Sequence, residues 1–234
     1  MVNAADDVYY TPSPVDDYHS YFSASWQDAE TVLTHHRAYI RNLAYSLQYL
    51  EYLVNLLRPR GPAGNIHGSV LTHLQKTFII SSMSVIESVL WYVIRRSGHQ
   101  KTLIWRQIQE LISNPKLLGG DQIRSRVLLE KMIDPPGEVE MTLDQMSKKV
   151  ESKRLLGVDT AVYAQLHHLR GLRNRIHIHS VQHDKDTDWR AISTDEVATM
   201  KQTLHAVLTC DVFAASAGKV ALLDFLRTQA PQDV

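Results

Sequence analysis

The stretch from Leu169 to His179 reads LRGLRNRIHIH. Arg170, Arg173 and Arg175, with Asn174, His177 and His179, are interleaved there with leucine and isoleucine. Arginine and histidine together suit phosphodiester cleavage without a metal. A guanidinium is a permanent cation whose planar fork matches phosphate oxygens. Set against phosphorus, it stabilises the charge that builds in the transition state. Histidine titrates near neutral pH, so it can take a proton from an attacking hydroxyl or give one to the leaving oxygen. RNA carries its own nucleophile in the 2′-hydroxyl, so little else is required. Arg173 is the candidate charge clamp, and His179 or His177 the candidate acid–base group. Arg170, Asn174 and Arg175 are the candidates for holding the strand, and Asn174 could also orient a histidine.

These groups need a helix to position them. Val162, Leu166, Leu169, Leu172 and Ile176 recur at helical spacing, which predicts a helix from Asp159 or Thr160 with that stripe buried. Arg170, Arg173 and His177 share a neighbouring stripe. The β-branched alternation of RIHIHSV predicts that the helix ends near His177. His179 could then curl back toward Arg173. Both histidines remain open at this level.

The rest of the chain reads as helices around this one. Leu33, Ile40, Leu43, Leu47, Leu50, Val54 and Leu57 form an apolar seam on a helix expected from about residue 26. A second long helix, about 66–97, is apolar on more than one side, the mark of a helix buried among others. Helices are expected at about 101–113, 121–133 and 143–156. Ser193 with Glu196 is a capping-box pattern that opens a helix ending near Gly218, and a last short helix holds Val220 to Leu226. The expected fold is therefore all-α: a polar, acidic, aromatic-containing arm over 1–25, then one helical domain over 26–228 with a helical insertion at about 100–140.

Composition bounds the function. The 234 residues are 44% hydrophobic and 21% charged, ordinary for a globular protein. Lys+Arg and Asp+Glu are both 25, so no global charge advertises a polyanion or a membrane. The balance is local instead. Residues 1–36 hold six acids and no Lys or Arg, whereas 148–177 hold seven Lys and Arg against Glu151 and Asp159. The single cysteine, Cys210, excludes an intramolecular disulfide and fits a reducing cytoplasm. MVNAADDVYY lacks the pattern of a signal peptide, and the longest apolar run, VLWYVI, is too short to cross a bilayer. A cytoplasmic protein with no membrane contact is expected.

LRGLRNRIHIH resembles the signature of the HEPN superfamily (higher eukaryotes and prokaryotes nucleotide-binding domains), an arginine, often followed by asparagine, with a histidine after four to six residues. Arg173-Asn174 with His179 has five intervening residues, Arg170 with His177 has six, and Arg173 with His177 has three, outside that range. ISSMSVIESVLWYVI resembles the family's central helix, including its acidic residue, here Glu87. The resemblance covers roughly 30–97 and 140–215. It implies an α-helical bundle and a metal-independent endoribonuclease, in a setting of toxin action, defence or stress response. It also implies a possible neutralising protein partner. Members paired with a nucleotidyltransferase antitoxin often carry tyrosine four residues after the histidine, where His183 stands if His179 is the motif histidine. A non-catalytic module binding RNA, a nucleotide or a protein is the alternative.

Other constellations are weaker. His177, His179 and His183, near Asp184, Asp186 and Asp188, could hold zinc or another divalent ion, but no HExxH or CxxC spacing accompanies them. DKDTDW starts like a calcium loop yet has Trp189 where glycine is needed. No metal or cofactor is expected. One motif supplies one clamp and one or two histidines, while the chemistry needs a proton acceptor, a proton donor and a clamp. A homodimer with facing motif helices would double each role, as the paired cleft of the family implies. Trp91, Tyr92 and Trp105 are rings available either to such a contact or to packing within the chain.

Overall fold

The computed structural model describes residues 10–26, 28–58, 66–174, 191–213 and 217–227. They fall into two compact units, one formed by the chain up to Ser97 and from Leu143 onward, the other by Gly98–Thr142.

The first unit is a helical bundle. Its helices are α1 (Val15–Ser25), α2 (Ala29–Val32), α3 (His36–Leu56), α4 (Gly68–Arg96), α5 (Leu143–Ser152), α6 (Thr160–Asn174), α7 (Thr194–Leu208), which stops short of the expected end near Gly218, and the short α8 (Ala217–Val220), with 3-10 turns at Asp211–Phe213 and Ala221–Leu226. Helix α4 is central and packs against α3, α5, α6 and α7. Phe78, Ile79, Met83, Ile86, Leu90 and Val93 bury different sides of it, as its all-round apolar sequence demands. It is long and apolar enough to cross a bilayer, but 61% of the apolar window is buried inside the fold, as in the core helix of a bundle. The seam of α3 is buried as expected at Ile40, Leu43, Leu47, Leu50 and Val54. The helix itself starts later than expected. His35 takes a left-handed conformation (φ 61°) and separates α3 from the short α2. At the other end of the chain, Ser193 accepts a hydrogen bond from the Glu196 amide at 3.3 Å and caps α7.

The aromatic residues near the N-terminus are anchored. Tyr18, Tyr21 and Phe22 of α1 are fully buried. Tyr21 donates its hydroxyl to the Leu208 carbonyl at the end of α7. Trp26 stacks on Tyr92 of α4 with centroids 3.9 Å apart. The polar anchor is Glu51 on α3, only 8% exposed. Its carboxylate accepts from the Tyr10 hydroxyl at 2.5 Å, the Ser13 amide at 2.7 Å, the Ser13 hydroxyl at 3.2 Å and the Tyr18 hydroxyl at 2.8 Å. A buried carboxylate needs that many donors to replace water. Burial, followed by Glu51, pushes the Tyr10 phenol up to about 12, and the same causes raise Tyr18 further, so both remain donors at physiological pH.

The second unit corrects the all-α expectation. The segment expected as a helical insertion at about 100–140 is an antiparallel β-ribbon. Strand β1 (Lys101–Ile112) pairs with β4 (Arg126–Val139), and β2 (Lys116–Leu118) with β3 (Asp121–Ile123). Among the described residues the protein is 62% helical and 17% strand, a mixed and mostly helical chain. The physical reason lies at the ribbon tip. Gly119 and Gly120 both have positive φ (63° and 94°) and join paired Leu118 and Asp121 as a two-residue hairpin turn. Thr102, Ile104, Trp105, Ile108 and Ile112 then favour a pleated strand over a helix. Asp134-Pro135-Pro136 lies within β4, where the pairing shifts register between Trp105↔Met132 and Leu103↔Gly137.

Glu51→Ala should leave two phenols, the Ser13 hydroxyl and an amide without their acceptor and cost about 3 kcal/mol or more. Chemical denaturation of the native and variant chains checks this, with Tyr18→Phe expected to cost less because the carboxylate keeps its other donors.

Candidate functional site

The motif helix is set by its connection to α5. Leu143, Met146 and Val150 bury one face of α5, and the chain turns through Arg154 (φ 49°) and Gly157 (φ 67°) before α6 begins. Asp159 accepts from the Ala161 amide at 2.8 Å, satisfying one free donor of the first turn. Gly157 is required by space as well as by backbone. A Cβ there would stand 2.6 Å from Asp211 Oδ2, in the turn that follows α7. Tyr163, Leu166 and Leu169 are buried and hold α6 against its neighbours, with Val162 and Leu172 half-buried. The described part of the expected stripe, Val162, Leu166, Leu169 and Leu172, is therefore the packed face, with Tyr163 added to it; Ile176 lies outside the described residues.

Two motif arginines lie beside that face, and each meets a carboxylate from another helix. Arg170 pairs with Asp144 of α5. Lys148 at 2.9 Å, and then Arg170, hold the Asp144 carboxyl below the usual carboxylate range, so the pair stays ionised at neutral pH. Arg173 Nη2 lies 3.4 Å from Glu87 Oε2, on the central helix. About a third of the Arg173 side chain remains exposed (34%). A guanidinium has five N–H donors, and a long, half-open contact of this kind orients it without consuming it. Asn174 is the last residue of α6 and is exposed. Arg175, His177 and His179 lie outside the described residues, as do His183 and the aspartates of the DKDTDW segment.

The two histidines earlier on α6 have partners as well. His167 Nε2 is 2.8 Å from Glu151 of α5, and His168 Nε2 is 2.9 Å from Glu196 of α7. Each ties α6 to a neighbouring helix. Among the described residues no group of three His, Cys, Asp or Glu is placed to hold a metal. Cys210 is buried, and burial raises its thiol to about 11, which leaves it a poor nucleophile. Of the three rings considered for a contact between copies, Tyr92 is buried within the bundle. Trp91 packs beside Tyr39 and under the Arg95 guanidinium, 4.8 Å from the ring centroid. Trp105 is on the ribbon and 52% exposed.

Asp144 and Glu196 have no signature of their own. The only signal for Asp144 is its i,i+4 spacing to Lys148, and for Glu196 its place in the capping box. Glu87 is visible as the one carboxylate of the long apolar helix. No protein-family model, no curated protein and no solved structure matches the chain.

Gly157→Ala should lower stability by about 1–2 kcal/mol from the left-handed backbone alone, and by more from the contact with Asp211. In an Asp211→Ala background the same change should cost less, which thermal denaturation of the four chains measures.

Proposed function

We propose that the chain is a metal-independent endoribonuclease that cleaves RNA by attack of the 2′-hydroxyl, with Arg173 as the charge clamp and His179 or His177 as the acid–base group. The observation that carries this reading is the setting of Arg173. It stands at the end of the motif helix, part-exposed, with Glu87 of the central helix beside its guanidinium. A clamp held from one side is preorganised for the oxyanions of a phosphate arriving from the other. Arg170, Asn174 and Arg175 then meet neighbouring phosphates, with the Arg170–Asp144 pair fixing one of them in place.

In this mechanism one histidine accepts the proton of the 2′-hydroxyl as its oxygen attacks phosphorus. The bond to the 5′-oxygen breaks, and that oxygen takes up a proton from the acid group. The products are a 2′,3′-cyclic phosphate and a 5′-hydroxyl. Two proton-transfer groups and a clamp come most simply from two motifs in one cleft, so the working unit is proposed to be a homodimer in the cytoplasm.

Arg173→Ala should lower cleavage about a hundredfold or more while RNA affinity falls much less. Digestion of RNA in excess chelator, with the product ends identified by mass spectrometry, tests this. A folded Arg173→Ala chain that cuts normally removes Arg173 from the mechanism, and RNA bound but never cut makes the protein a binding module. For the dimer, activity per mole should fall on dilution in step with the mass measured by light scattering. A monomer that stays fully active excludes the paired cleft.

A further inference from the structure

The bundle carries a second surface with nucleic-acid chemistry, on α3. Arg37, Arg41, Tyr45, Tyr49 and Tyr52 follow one another at three- to four-residue steps, so they share one helical stripe. All five are exposed, the tyrosines at 50%, 46% and 43%. Exposed rings at that spacing are unusual for a surface helix, whose outer face is normally charged or small. The Arg41 guanidinium lies 5.6 Å from the centroid of the Tyr45 ring and donates from Nε to the Tyr45 hydroxyl at 3.2 Å. At the head of the stripe an open cavity of about 430 Å³ is lined by His19, His36, Arg37 and Arg41. Two carboxylates approach that head: Glu30 lines the cavity, and Asp16 stands 3.7 Å from Arg41. Helix α3 has a single carboxylate, Glu51, and it is buried and occupied by its four hydrogen bonds. The tyrosine stretch therefore has no acid of its own helix on its outer side.

We propose that this face of α3 is a stacking track for single-stranded RNA, with the cavity at its head taking a backbone phosphate; the substrate class rests on the ribonuclease reading. Rings accept any base by stacking, and interleaved arginines neutralise the backbone. Along the helix axis Tyr45 and Tyr49 are about 6 Å apart, and Tyr49 and Tyr52 about 4.5 Å. Both steps exceed the ~3.4 Å rise of a stacked strand. They fit bases splayed apart, which a single strand offers and a duplex does not. Tyrosine and arginine also populate protein interfaces, but a stripe with cations and no carboxylate of its own helix on its outer side matches a polyanion better than a protein surface of mixed charge.

The test uses a fluorescein-labelled 2′-O-methyl oligouridine of twelve nucleotides, which lacks the attacking hydroxyl, with fluorescence anisotropy on the full chain. The triple change Tyr45→Ala, Tyr49→Ala, Tyr52→Ala should weaken binding by about thirtyfold or more. The corresponding triple phenylalanine variant should stay within about twofold of the native chain, because the rings and not the hydroxyls bind. Arg41→Gln should reduce the slope of log affinity against log salt by about 0.7, one single-strand phosphate contact. An alanine variant with native circular dichroism and native affinity overturns the track, and so does a phenylalanine variant as weak as the alanine one. An alanine variant whose mass changes in light scattering while its RNA affinity does not makes the stripe a protein interface, which also overturns it. Cleavage of unmodified RNA by the native chain is read separately. Cutting with ring-independent binding removes the track and leaves the ribonuclease. Ring-dependent binding without cutting keeps the track and removes the ribonuclease.

Discussion

The burial of α4 on every side is the constraint from which the bundle follows. A helix with apolar residues all round has no face it can leave to water, so neighbours must close on it from several directions. Helices α3, α5, α6 and α7 supply them, each offering one apolar stripe. Their outer faces are thereby fixed as well, because a helix turned to satisfy α4 has no freedom left in what it presents outward. Arg173 reaches Glu87 for this reason. Leu166 and Leu169 point α6 inward, and the residues one step round the helix then lie along its junction with α4. The tyrosines of α3 are exposed for the same reason, since Leu43, Leu47 and Leu50 occupy the side that faces the core.

Much of the bundle was legible in the sequence because long helices announce themselves by period. The seam of α3, the all-round apolarity of α4, the start of α6 and the cap of α7 were each carried by local residues, and the structure has them. The ribbon was not legible in the same way. Ile104, Ile108 and Leu111 fit a helical step as well as a strand, and the shift in pairing between Gln107 and Gln109 breaks the alternation that would have marked β1. Gly119-Gly120 was the stronger signal. Two glycines between apolar runs are the mark of a hairpin. The N-terminal arm shows a different limit. Its rings could have meant a mobile segment or an anchored one, and what decides is Glu51, far along the chain, together with the Tyr92 and Phe213 rings that complete the aromatic cluster.

Charge counted along the sequence misdescribes the folded surface, and the reason is geometric. Counting residues 148–177 alone describes a basic patch, yet folding brings carboxylates into it from outside that window. Asp144 meets Arg170, Glu87 meets Arg173, and Glu196 meets His168, while Glu151 inside the window is taken by His167. Two acids of the N-terminal stretch are met in the same way, with Asp28 at 2.7 Å from Arg96 and Asp16 at 3.7 Å from Arg41. Among the described residues, several of the charges that look segregated along the sequence therefore meet opposite charges in the fold. What separates the pairs is how firmly each is held. Asp144 is engaged by both Arg170 and Lys148, so removing Arg170 from it would cost a network. Arg173 has a long contact to a part-exposed carboxylate, and solvent screens such a pair heavily. A phosphate offers a guanidinium shorter, charge-assisted and bidentate bonds, which a single 3.4 Å contact does not match. Of the two described motif arginines, Arg173 is therefore the more loosely held, and its guanidinium keeps donors to spare beside Glu87.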